Sequence, residues 1–453
     1  MRKFSRLLFG YLLFLVFVLL LASCSGNDYV NAIPRESTAV ISMDINKMSG
    51  VNSKVLFKTM LRVSDLRGSG IDFSSKIFLF ESAQGNLGLC AKVTDEGELS
   101  ELLARLAKAG VCTDVQKRRG YNFCVLHDAW VVGYSDEAML VMGPVEAAGQ
   151  AELQNEIAKY LGQSEEDGIK NSKLYAKLDS IDAPMGMVAE TQALPEKFVA
   201  PFMIGAPQGA DASQVLIAAR MNVRKGCLLI DGETFSFNKT IDRELKKAVA
   251  TVYRPVGGKF LKSMSREAPF GMFVNVKGED FLPLLRANKP IQAMLAGINT
   301  AIDMDNIIKS VDGDMSIVMS EFSDDRLRMS MAAELANSNW LADVNYWKHS
   351  VPRGGRIVDW MKNAYYYTDG KTTFYFGVDE SRRFFSGSTA QEALASVKTA
   401  TESLPVEIQA EVQGKRMAIV INLSSEAGGK VEAVTSMLGP FFGRLNMIVY
   451  SLR

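Results

Sequence analysis

The chain has 453 residues, 47% of them apolar, and carries 51 basic and 51 acidic side chains with only two histidines. A balance this close to neutral excludes a general electrostatic hold on nucleic acid, which needs a surplus of cations. The length is enough to fill two or three domain cores.

The first element is an export signal. Arg2, Lys3 and Arg6 form a positive head, and an apolar run follows from Leu7 to Leu21, interrupted only by Gly10 and Tyr11. Head, core and cleavage site come in secretory order. A helix of this run is roughly 23 Å long, short of the ~30 Å hydrocarbon core that a spanning helix crosses. Leu21-Ala22-Ser23-Cys24 has the form of a bacterial lipobox. A bulky residue is followed by two small ones that admit the peptidase, then by a thiol that takes diacylglycerol as a thioether. Residues 1–23 are therefore expected to be a lipoprotein signal peptide, Cys24 the lipid attachment site, and 24–29 a lipidated tether. Several acyl chains anchor a protein far more firmly than one does. Without residues 1–23 the chain keeps 48 basic and 51 acidic side chains, a formal charge of −3.

After the tether, Thr38 to Asp44 reads as a strand, and Ile71 to Ile77 leads into another. Leu87, Leu89, Ala91 and Val93 alternate at period two beyond the turn Gln84-Gly85-Asn86, as half-buried strands do. Thr94 or Asp95 can cap the next helix, whose Leu99, Leu102, Leu103 and Leu106 share one face before Gly110 ends it. Cys112 and Cys124 flank a hairpin turn at Lys117-Arg118-Arg119-Gly120. A disulfide between them and a pair of buried free thiols are both compatible with this placement. A turn at His127-Asp128 and the stretch Gly133 to Glu137 lead to a further strand and a short helix.

The same succession returns about 240 residues later. Ile71-Asp72-Phe73-Ser74-Ser75-Lys76-Ile77 aligns without gaps on Val311-Asp312-Gly313-Asp314-Met315-Ser316-Ile317, and Leu327, Met329, Met331 and Ala333 alternate as the earlier strand does. Ser323-Asp324-Asp325 stands at the matching turn. Asn337 or Ser338 caps a helix with Trp340, Leu341, Val344 and Trp347 on its buried side, and Thr368-Asp369-Gly370 is the later tight turn. Apolar strands also end in a polar residue at Asp44, Glu190, Asn275 and Asn422, read as cap or turn formers, with a ligand-binding ring of the four as the alternative. Val431 to Leu438 reads as a helix stopped by Gly439-Pro440, and Leu445 to Ser451 as a last strand. The expected fold is α+β in two similar halves, 30–262 and 263–453, an internal duplication. Each half holds antiparallel sheets with helices packed on one face.

The opening Ile33-Pro34-Arg35-Glu36-Ser37, the strand that ends in Asp44 and the Gly70-Ile71-Asp72 step resemble a family of Bacteroides-type lipoproteins, a domain of unknown function. The resemblance spans most of the chain and rests on structural motifs. It implies a fold and a cell-envelope location and brings no catalytic residues. In that group an acidic cluster after the lipidated cysteine favours the cell surface. Here Ser25-Gly26-Asn27-Asp28-Tyr29 has one acid, which favours a periplasm-facing place on the outer membrane, with surface display as the alternative.

Motifs for chemistry are absent. His127 sits in a turn, and His349 ends a helix where the dipole favours it. No Cys or carboxylate spacing completes a zinc site, and no G-x-S-x-G turn is present. Gly68-Ser69-Gly70 lacks the residues of a phosphate loop. Asp303-Met304-Asp305 and Asp312-Gly313-Asp314 invite calcium, but the loop's glycine and terminal glutamate are missing. The densest aromatic cluster is Tyr365-Tyr366-Tyr367 with Phe374, Tyr375 and Phe376, a β-sheet core or a surface for a protein or glycan partner. No catalytic, cofactor-binding or metal residue is expected, and no nucleic-acid partner. The leading expectation is a non-enzymatic binding or assembly component, held to the membrane through the lipid on Cys24. The alternatives are a hydrolase of envelope or dietary polymers with carboxylates in an inter-half cleft, and a structural spacer.

Overall fold

The computed structural model describes residues 28–48, 58, 65–322, 327–423, 438–439 and 441–453. Cys24, the signal segment, the turn at 323–325 and most of the expected 431–438 helix lie outside the described residues. The chain divides into two compact units, with the main boundary between Ala176 and Lys177; residues 262 and 263 both belong to the second.

In the first unit the period-two apolar stretches form β1 (Ala39–Met43), β2 (Ile77–Glu81) and β3 (Leu87–Lys92). The helix α1 (Glu96–Lys108) starts where Asp95 accepts from the Glu98 amide, and it buries Leu99, Leu102, Leu103 and Leu106. On an area basis those four side chains contribute on the order of 6–12 kcal/mol, an upper bound because the unfolded chain already hides some surface. Then come β4 (Gln116–Arg118), β5 (Tyr121–Leu126), β6 (Trp130–Tyr134), β7 (Ala138–Gly143) and α2 (Gln150–Leu161). The strand order is β1–β2–β3–β7–β6–β5–β4, antiparallel throughout. Arg119 and Gly120 both have positive φ and close the β4–β5 hairpin. Gly70 has φ +74°, and a Cβ there would lie 2.3 Å from the Asp95 carbonyl, so the step before β2 accepts only glycine. The helix α3 (Lys173–Asp179) crosses the boundary in sequence.

The second unit begins with β8 (Met185–Glu190), α4 (Glu196–Phe202), β9 (Leu216–Arg224), β10 (Cys227–Phe235), α5 (Lys239–Thr251) and the short β11 (Tyr253–Arg254). The chain continues through β12 (Phe270–Lys277), α6 (Gly278–Ala287), α7 (Lys289–Asn299), α8 (Met304–Lys309), β13 (Val311–Phe322) and β14 (Leu327–Leu335). After α9 (Val344–Ser350) come β15 (Arg356–Met361), β16 (Ala364–Thr368), β17 (Thr373–Val378) and β18 (Arg383–Gly387). Two helices, α10 (Ala390–Ala395) and α11 (Val406–Val412), precede β19 (Met417–Asn422) and β20 (Met447–Leu452). The sheet runs β8–β9–β10–β20–β19–β12–β13–β14–β18–β17–β16–β15, with β11 on β12 beside β19. It is a large antiparallel sheet in a mixed α+β unit, apart from the parallel β10–β20 pair.

Within it, β12–β13–β14–β18–β17–β16–β15 has the strand order of the first unit. The registers also correspond: Phe78 pairs with Cys90 and Leu79 with Leu89, as Val318 pairs with Ser330 and Met319 with Met329. The centre of the sheet departs from the expectation of helices on one face. Along β12, β19 and β20, Met272, Ile419 and Tyr450 enter one core, while Phe273, Ala418 and Val449 enter a second with Ile408 and Val412 of α11. Strands covered on both sides read as continuous apolar runs rather than alternating ones, as Met417 to Ile421 does.

Asp314, 3% exposed, ties this sheet to the loop before β12. Its carboxylate accepts from the Gly257 and Lys259 amides and from Asn275 Nδ2, each at 2.8 Å. Removing a buried charged acceptor that serves several donors is costly. Asp314→Ala should lose about 3 kcal/mol of stability in equilibrium urea unfolding, and a change below about 0.5 kcal/mol would refute this role.

Candidate functional site

The alternation that makes half-buried strands also aligns side chains across them. Met272 pairs with Ile317, Ile317 with Met331, Met331 with Ser386, and Ser386 with Phe376, so these five lie in one row on one face. The next row contains Phe270, Met319 and Met329, with Ser388 bonded to Met329 through the backbone. Burial falls along this face. Ala333 and Phe384 are fully buried beneath Trp340, Met331 is 4% exposed, Met329 is half-buried, and Leu327 is 49% exposed.

Above the less covered end stand α4, α6, α7 and α8, enclosing with the sheet a cavity of about 1250 Å³. Ordinary small-molecule sites hold about 300–1,000 Å³. Eight methionines contribute to the walls: Met203, Met272, Met294, Met304, Met315, Met319, Met329 and Met331. Methionine is flexible and polarizable, so such a wall can mould itself to different guests. The roof is held close at one point, where a Cβ on Gly278 would fall 1.7 Å from the Ile308 carbonyl. The N-cap of α7 is Asn288, whose Oδ1 accepts from the Ile291 amide and whose Nδ2 donates to the Ala200 carbonyl at 2.8 Å.

Among the described residues, charge in the lining is confined to exposed ones, namely Glu196, Asp211, Lys289 and Asp369. The Ser213 amide holds the Asp211 carboxyl below its usual range, and the Thr372 and Lys371 amides do the same for Asp369. These acids stay ionised and make poor proton donors near neutral pH.

The residues singled out in the sequence have local explanations, and part of the aromatic cluster reaches the cavity. Tyr367 and Phe374, paired across the Asp369-Gly370 turn, line it, while Tyr366 and Tyr375 stack on the opposite face near Trp360. His127 occupies a left-handed turn with φ +46°, and His349 Nδ1 contacts the Asn345 carbonyl at 2.6 Å. Asp303 caps α8, and Asp305 pairs with Arg286. Cys90, Cys112, Cys124 and Cys227 are free thiols, with Cys112 donating to the Leu103 carbonyl. Of the four strand-end polar residues, Asp44 forms a turn and Asn422 donates to the Arg266 carbonyl. Glu190 meets Gln192, and Asn275 lies within β12 on Asp314. Among the described residues no group of His, Cys, Asp and Glu has the arrangement of a metal site.

A family model described as "Domain of unknown function (DUF4836)" matches residues 45–405. The chain belongs to this family. The matched DUF4836 region includes every strand and helix that lines the cavity. No curated protein matches the sequence. Among solved structures, crystal form IV of TP0453 is similar at 6% identity and a TM-score of 0.26, over 82% of this chain and 96% of that one. Crystal form III of the same protein gives 7% and 0.22, over 82% and 97%.

The sequence analysis did not single out the cavity as such. Its walls are ordinary alternating and helical apolar residues, and only the excess of methionine at cross-strand positions could have marked them. Gly278→Ala should lower stability by about 2–4 kcal/mol by pushing α6 off α8. A melting curve unchanged from the parent would show that the two helices separate freely.

Proposed function

We propose that this DUF4836 protein is a lipid-tethered envelope component that binds rather than catalyses, and that its working site is the methionine-walled cavity of the second unit. The observation that carries this reading is the cavity itself, a large apolar space whose charged groups are all exposed. Catalytic sites need polar groups aimed at reacting atoms, whereas this lining is suited to holding an apolar guest. We further propose that the scaffold arose by internal duplication. The shared strand order and the matching β2–β3 and β13–β14 registers support it. The tether rests on the lipobox and Cys24. No helix among the described residues is long and apolar enough to cross a membrane. The resemblance to Bacteroides-type lipoproteins and the single acid after Cys24 favour the outer membrane with the protein facing the periplasm.

Two measurements test these parts separately. N-phenyl-1-naphthylamine, a neutral apolar dye, should brighten on the purified protein in a saturable way. Met319→Glu, which sets a charge on the cavity wall, should weaken that binding by about tenfold or more. Equal dye affinity in the variant would sink the cavity as the binding site. For the tether, Cys24→Ala should leave the membrane pellet or remain unprocessed, and a variant still found as mature membrane-bound protein would refute lipidation at Cys24.

A further inference from the structure

The chemistry of the lining narrows the guest, given the reading of the cavity as a binding site. Floor and roof are Met272, Ile317, Met331, Phe281, Leu285 and Ile308, and the floor strands engage each other in β-ladders. An extended peptide would bring a full row of amides, more than the scattered hydroxyls of Ser386, Ser388, Thr372 and Thr373 can pair, and each one left unpaired costs about 1–3 kcal/mol. An acyl chain has no polar group to satisfy and bends to fit. The volume is about eight times that of a cavity of about 150 Å³ that holds one benzene, so chains of lipid length fit. Among the described lining residues, the exposed Glu196, Asp211 and Asp369 stand against one cation, Lys289.

We infer that the cavity takes the acyl chains of an amphiphile whose head stays at the mouth, and that an amine-bearing head is accepted there in preference to a bare carboxylate. The apolar interior provides the affinity and the acidic surplus at the mouth orients and selects. Membrane lipids and free single-chain amphiphiles share this chemistry.

The test is displacement of N-phenyl-1-naphthylamine from the purified protein by monooleoylglycerol, oleylamine and oleic acid, each below its aggregation concentration. The three oleyl compounds should displace the dye. Oleylamine should bind about tenfold more tightly than oleic acid at low salt, falling to about twofold at 0.5 M because salt screens exposed charge. The double variant Asp211→Asn with Asp369→Asn should lose that preference while keeping the affinity for monooleoylglycerol. Vesicles of mixed dioleoyl ethanolamine and dioleoyl choline phospholipids distinguish the sources. Phospholipid carried off by the protein in native mass spectrometry assigns a membrane lipid, and displacement by the oleyl compounds with no phospholipid carried off assigns a single-chain guest. The inference is overturned if no oleyl compound displaces bound dye. It is overturned as to the head if oleic acid equals or exceeds oleylamine. A protein that never binds the dye overturns the cavity reading itself, a separate failure.

Discussion

The second unit is governed by a mismatch between one apolar sheet face and the helices available to cover it. Cross-strand pairing aligns Met272, Ile317, Met331, Ser386 and Phe376 in a row, and such a face must be removed from water. At one end the task is complete: Trp340 and Trp347 stack on each other, both meet Phe376 at a tilt, and Trp340 meets Phe384 edge-on, all of them buried. At the other end α6 reaches β12 and β13, fixed against α8 through Gly278. The helices stand over Phe270, Met319 and Met329 without filling the space beneath them. The cavity is what remains of a face that is apolar along its whole length and tightly covered along only part of it.

The first unit shows what the same strand order does when the helix fits. There α1 buries four leucines, and on the matching sheet face Leu79, Ala91 and Met139 are buried while Leu89 is half-buried. Where β13 and β14 carry Met319 and Met329, β2 and β3 carry Leu79 and Leu89 at the corresponding pair. Leucine has well-defined rotamers and sets into a close-packed core. Methionine adapts, so its concentration in the second unit agrees with a wall that accommodates rather than locks.

Much of this architecture was legible because it depends on local periodicity. The four-leucine face of α1, its Asp95 cap and the Arg119-Gly120 turn follow from spacing and turn chemistry alone. So does the correspondence between the strands that carry Leu87 to Val93 and Leu327 to Ala333. The parallel pairing of β10 with β20 was not legible, since it joins segments some 220 residues apart and no short-range signal encodes it. Nor was the double coverage at β12, β19 and β20, where an unbroken apolar run reports burial without saying what does the burying. The Asp312-Gly313-Asp314 stretch invites calcium in one dimension, although the loop's glycine and terminal glutamate are missing. In three, Asp314 is a buried acceptor for two amides and Asn275, a role that depends on a loop some 55 residues away.

The cavity belongs to the same class of hidden information, and its chemistry follows from how it is made. A site assembled for catalysis gathers polar groups from several strand ends, because reacting charge needs fixed partners in a place shielded from water. Here the face contributes mainly thioethers, branched aliphatics and aromatic rings, with the hydroxyls of Ser386 and Ser388 among them. The ionisable groups come from exposed residues such as Asp211 and Asp369, whose backbone hydrogen bonds hold them as fixed negative charges. An apolar interior with charge only at its exposed edge separates affinity from selectivity. Burial rewards any sufficiently apolar chain in proportion to the area covered, while the exposed charges act only on the part of the guest left outside. That division of labour is what the proposed binding of amphiphiles requires.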